Sequence, residues 1–181
     1  MKNENTIWSN IIASVNAGLA LNSVTDFVVK QSGQPSKTTI DTPTIWVDRI
    51  SDKRHGYQSR RPVYANSVLS EIKTAFHEII FQITARKLRH PATDTASTQT
   101  SSDVLNLLID YFNGAEGMDQ LASVDMGCIR VTSLRTPASM SDSDLYERDP
   151  SFDITISFAQ ETTRTLSAIE DEPNILITEK G

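Results

Sequence analysis

The chain is poor in most of the residues that announce a chemistry. It holds one cysteine, Cys128, in 181 residues, which excludes an internal disulfide framework and a cysteine-based zinc site. A chain of this length can bury a core without covalent staples, so a reducing compartment is the expected setting. Only three histidines occur, His55, His77 and His90, and with seven glycines there is neither a Gly-rich dinucleotide turn nor a G-x-x-x-x-G-K-[ST] phosphate loop. No run of about 18 apolar residues exists, and the N-terminal stretch lacks the sustained apolar centre of a leader, so a soluble, unexported protein is expected. Aromatic residues make up 7% and apolar residues 38% of the chain, values that fit a domain with long polar loops. Positive charge is also short: 17 Lys and Arg stand against 23 Asp and Glu, a net charge of -6. A sequence-independent coat for nucleic acid needs the opposite balance, because its affinity comes from cations that displace counterions.

What is present is pattern. Residues 151–160 alternate apolar and polar side chains, so Phe152, Ile154, Ile156 and Phe158 share one face of a strand. Ile7, Trp8, Ile11, Ile12, Val15 and Leu19 recur at helical spacing, predicting a helix over 6–20 with Gly18 near its end. Residues 44–50 are rich in β-branched and aromatic side chains and read as a strand. The stretch 68–88 fits both periods; its β-rich segment 79–84 favours a strand over about 74–88, leaving 68–75 open between helix and strand. A second helix opens at Ser102-Asp103 and closes at Gly114, and 126–134 and 163–169 are further strand candidates. The expectation is a single α+β domain over 1–181, with four or five mostly antiparallel strands and two helices packed on the sheet. A basic hairpin or arm at 51–67 and polar loops at 91–102 and 135–150 elaborate it.

Catalytic fragments all lack their partners. His77-Glu78 begins the zinc-protease motif H-E-x-x-H, but Phe81 stands where the second histidine belongs. Ser70 and Lys73 match S-x-x-K without the S-D-N and K-T-G elements that would make it a nucleophile pair. Cys128 sits beside Ile129 in an apolar segment and reads as a small buried hydrophobe. The acidic cluster Asp142, Asp144, Glu147 and Asp149 lacks the glycine of a calcium loop and reads as solvated. No catalytic, metal-binding or cofactor-binding residue is therefore expected. The informative charge feature is basic: Lys53, Arg54, His55, Arg60 and Arg61 with Tyr57 and Tyr64 interleaved, and a second patch beginning at Arg86. In an acidic chain such an arm suits a protein partner or neighbouring subunit better than nucleic acid. The candidate interface residues are Lys53, Arg54, Arg60, Arg61 and Arg86 on the basic side and Asp142, Asp144 and Glu147 on the acidic side. The alternative is a monomeric adaptor that holds an acidic protein or nucleic acid through the basic hairpin.

The order of features is also informative: Asn16-Ala-Gly-Leu19 ending the first helix, Gln34-Pro35, Pro43-Thr-Ile-Trp-Val-Asp48, His77-Glu-Ile-Ile-Phe-Gln-Ile83, a central helix, and Phe152-Asp-Ile-Thr-Ile-Ser157. Over about residues 5–170 this resembles the tail- or neck-terminator proteins of tailed bacteriophages. The resemblance implies a non-enzymatic virion protein of the tail or neck, assembled in the host cytoplasm as a ring, commonly a hexamer. Its implied partners are the tail tube protein and the head connector, with genomic DNA passing through the lumen without specific binding and no membrane involved. Because sheet edges are ready sites for pairing with a next subunit, the strands at 79–85 and 152–158 are the candidates for the sheet at such an interface.

Overall fold

Period-two alternation builds the centre of the molecule. In a computed structural model that describes residues 4–32, 42–65, 68–87, 95, 98–136 and 149–166, five strands form one sheet in the order β1-β2-β3-β5-β4. These are β1 (Val28–Gln31), β2 (Thr44–Ala65), β3 (Val68–Arg86), β4 (Gly127–Val131) and β5 (Ser151–Thr165). β1 runs parallel to β2 and every other neighbouring pair is antiparallel. The α+β expectation therefore holds. Three helices cover the sheet where two were expected: α1 (Glu4–Leu21), α2 (Ser101–Asn113) and α3 (Ala115–Ala122).

The register explains which face they cover. Ile45 opposes Ala85, Val47 opposes Ile83, and Ile83, Phe81 and Ile79 oppose Phe152, Ile154 and Ile156. Opposed residues share a face, and all of these are almost fully buried beneath the helices. Trp8 of α1 meets Phe81 edge-on, ring centroids 5.2 Å apart at 75°. On the other face Trp46, Asp48, Gln82, Thr84, Asp153 and Ser157 carry mostly polar groups to solvent. Such one-sided burial is what an antiparallel sheet permits.

Helix ends follow local rules. Thr100 accepts from the Asp103 N–H at 3.2 Å while Asp103 accepts from the Thr100 N–H at 3.0 Å, a reciprocal cap at the start of α2. α1 continues past Gly18 and stops at Ser23, whose φ of 57° is left-handed, with the Val24 N–H donating to Leu19 O at 2.9 Å. α3 ends the same way: Asp125 has φ 50° and the Met126 N–H donates to Leu121 O. Gly18 is thus a packing residue rather than a terminator. A Cβ there would lie 2.8 Å from Tyr111 Cδ1 and 2.9 Å from Leu108 Cδ2, so its absence lets α1 cross close to α2.

β2 and β3 are far longer than the apolar stretches that betray them. The segment 68–75 is strand throughout, and the described part of the expected basic hairpin or arm, 51–65, is the outer half of β2, laddered to β3 as far as Ala65 and Val68. Two irregularities interrupt the ladder, at 49–51 and at 55–59. In the second, residues 56–58 stand opposite Ala75 alone and Gly56 takes a left-handed φ of 69°, a conformation that suits glycine. Of the strand expected at 163–169, residues 163–165 are the end of β5, which runs unbroken against β3 to Thr165, and 167–169 lie outside the described residues.

Candidate subunit interface: a three-stranded arm

Burial stops part of the way along the sheet. Phe158 and Ala75 are the last buried residues, and beyond them β2, β3 and the end of β5 continue without helix cover. From His77 to Val68 this projection measures roughly 30 Å at the usual rise per residue. No apolar core holds it; cross-strand polar pairs and the ladder itself do. His77 stacks on Phe158, centroids 5.3 Å apart and planes 9° from parallel, and its Nδ1 lies 3.4 Å from Asp52 Oδ1. His55 Nε2 lies 2.6 Å from Glu78 Oε2 on the opposite face. Further out, Glu71 is flanked by Lys73 at 3.4 Å and Arg60 at 3.9 Å. These exposed pairs are worth little each and fix geometry more than stability.

The sequence-derived interface residues are divided by this arrangement. Lys53 and Arg54 stand near the arm's base opposite Glu78 and His77, and Arg60 and Arg61 stand towards the tip opposite Lys73 and Ile72. Lys53, Arg54 and Arg61 have no ion-pair partner among the described residues. Arg86 is elsewhere, at the core end of β3, with its Nε 3.4 Å from Asp149 Oδ1. Its neighbour Lys87 is tied internally, donating to Asp26 at 2.8 Å and lying 5.6 Å from the centre of the Phe27 ring. Asp142, Asp144 and Glu147 lie outside the described residues. Sequence reasoning missed Lys73, Glu71, Glu161 and Arg164 as parts of the same arm. Their signal was the register, which brings 60–62, 71–73 and 161–164 side by side.

The strands named as interface candidates, 79–85 and 152–158, are not sheet edges. The first is paired on both sides by β2 and β5, and most of the second is paired by β3 and β4 beneath the helices. The catalytic fragments dissolve for similar reasons. Ser70 and Lys73 are on a strand, where a spacing of three puts them on opposite faces, and His77 and Glu78 face opposite sides for the same reason. Cys128 is half-buried, and burial raises its thiol above the ordinary value, which suits an inert packing group. Among the described residues no cluster of His, Cys, Asp and Glu is placed to hold a metal, and no helix is long and apolar enough to cross a membrane. An open depression of about 430 Å³ lined by Arg54, Gly56, Gln58 and Arg60 lies at the bulge in β2.

Over residues 6–168 the chain matches the family model of the E217 gateway protein gp29, and it belongs to that family. That family is one of phage head–tail gateway proteins; it is a neck or connector family and not specifically the terminator family of the sequence resemblance. The chain is accordingly a structural protein of the phage virion at the head–tail junction. No curated protein matches it.

Proposed function

We propose that the chain is the repeating subunit of a ring, commonly hexameric in such assemblies, that joins the head connector on one side to the tail tube on the other. In this role it ends the tail tube and leaves a lumen through which DNA passes without being held. The observation that carries this reading is the arm: about half of β2 and β3 projects beyond the buried core, an arrangement a lone domain does not need and an interlocking subunit does. A heterologous contact repeated by rotation closes into a ring. The unpaired cations Lys53, Arg54 and Arg61 offer an attractive surface to the acidic segment that includes Asp142, Asp144 and Glu147 of a neighbour, setting register and speeding assembly more than adding affinity. A net charge of -6 suits a lumen through which DNA passes without being held.

The test is complementation. Lysates that lack the chain are expected to contain separate filled heads and tails, and adding the purified protein is expected to restore joined, infectious particles. Normal joined particles formed in its absence would contradict the reading.

A further inference from the structure

Among the described residues, the arm is a sheet with two unpaired edges. β1 leaves β2 at Val47, where the Ser32 N–H makes the last bond at 2.9 Å, and β4 leaves β5 at Ser157. Beyond these points nothing among the described residues pairs with the outer side of β2 over 48–65 or of β5 over 158–165. The backbone bonds also fix which groups face outward. The Leu166 N–H donates to Leu69 O, so the even residues of β5 face β3. Because that register is unbroken, Ala159, Glu161, Thr163 and Thr165 direct both N–H and C=O to the free edge. The same parity holds nearer the core, where the Ser151 N–H donates to Arg135 O and Asp153 O accepts from the Thr132 N–H. Odd residues of β3 face β5, so the β2 residues opposite them, Asp52, Arg54, Arg60 and Pro62, point outward. Pro62 therefore places its missing N–H on the free edge, where a strand tolerates proline.

We infer that the free edge of β5 pairs with the free edge of β2 from a second copy of this chain, joining successive arms into one closed sheet. The inference rests on the ring reading above and adds the contact by which the ring closes. Strand direction supplies the geometry. β2 and β5 are both antiparallel to β3, so both run from core to tip. Rotation about an axis along the arm preserves that sense, and the β5·β2 contact between copies is parallel. A two-fold contact between like edges would be antiparallel and would leave the other edge open. Charge points to a copy of this chain as the occupant. Glu161 lies level with Ser59 through Thr74, and Arg61 is on the same face two residues on. A neighbour at the same level brings its unpaired Arg61 diagonal to Glu161, within reach of a cross-strand pair. An open edge of this length invites uncontrolled association unless a specific partner covers it.

The test uses the full chain and Thr163→Pro. The Thr163 N–H faces away from β3, so the substitution leaves the β3–β5 ladder intact while blocking the outer one. The expected result is a variant with an unchanged circular-dichroism spectrum whose assembly is weakened at least about tenfold, a loss on the scale of one or two hydrogen bonds. In wild-type protein the amides of Ala159, Glu161, Thr163 and Thr165 are expected to exchange about tenfold or more slowly in the assembled than in the dilute form. Unchanged assembly of the variant, or equal exchange in both forms, overturns the edge contact while leaving the ring intact. A wild-type chain that remains monomeric even with heads and tails present overturns the ring reading, and this contact with it. Should the variant misfold, the wild-type exchange comparison decides alone.

Discussion

His77 on β3 and Phe158 on β5 stack nearly parallel, 5.3 Å between ring centres, at the level where helix cover ends and the arm begins. The pair fastens the projecting ladder to the core.

Replacing His77 with Ala removes the stack and the Asp52 contact but leaves the helix-covered core untouched. The expected outcome is a loss of about 1 kcal/mol. It should be localised: amides of β2 and β3 beyond residue 77 exchange faster, while those of α1 and the buried half of β5 keep their protection. Uniform acceleration across the chain would place the stack within the core instead.

The cap of α2 titrates. Hydrogen bonds from the Thr100 N–H and hydroxyl to the carboxylate hold Asp103 below its ordinary value of 3.8. Its folded value is thus lower than its unfolded one, so the stability it contributes is fully present above the ordinary value and is lost as pH falls through the folded value. Asp103→Ala is expected to cost about 1 kcal/mol at neutral pH. The difference from wild type should shrink below the carboxylate range, as measured by urea unfolding at several pH values.

Two substitutions at helix ends should move stability in opposite directions. Gly117 packs against the end of α2 so tightly that a Cβ would overlap the Tyr111 carbonyl oxygen and lie 2.9 Å from Phe112 Cα, both backbone groups that cannot swing away. Gly117→Ala is expected to destabilise by about 1–3 kcal/mol through overpacking. Asp125 carries the opposite problem, a side chain in a left-handed position at φ 50°. Asp125→Gly is expected to stabilise by about 1 kcal/mol, read as a raised Tm.

How much of this the sequence disclosed depends on where burial writes a pattern. β5 was legible because its core half buries one face, and Phe152, Ile154, Ile156 and Phe158 are all buried as the alternation predicts. The outer halves of β2 and β3 bury neither face, so no period-two signal exists at 52–62, and the basic residues there read as a loop-like excursion. α3 was missed because it is eight residues long, with Leu121 its one large buried side chain and Met118 exposed. Gly18 was placed near the end of the first helix, as it is, but its role as a contact point shows only beside its neighbours Tyr111 and Leu108. The basic half of the candidate interface was visible as a cluster. Its division between the arm's base, its tip and the distant Arg86 depended on a register with two irregularities, which composition does not encode.

The most direct measurement of the ring account is the mass of the full chain by light scattering across a concentration series, at low and high salt and with heads or tails added. The account predicts a discrete multiple of the 20.1 kDa subunit that does not grow with concentration, formed more slowly at high salt. A chain that stays monomeric under all of these conditions, or that grows without limit, would contradict it.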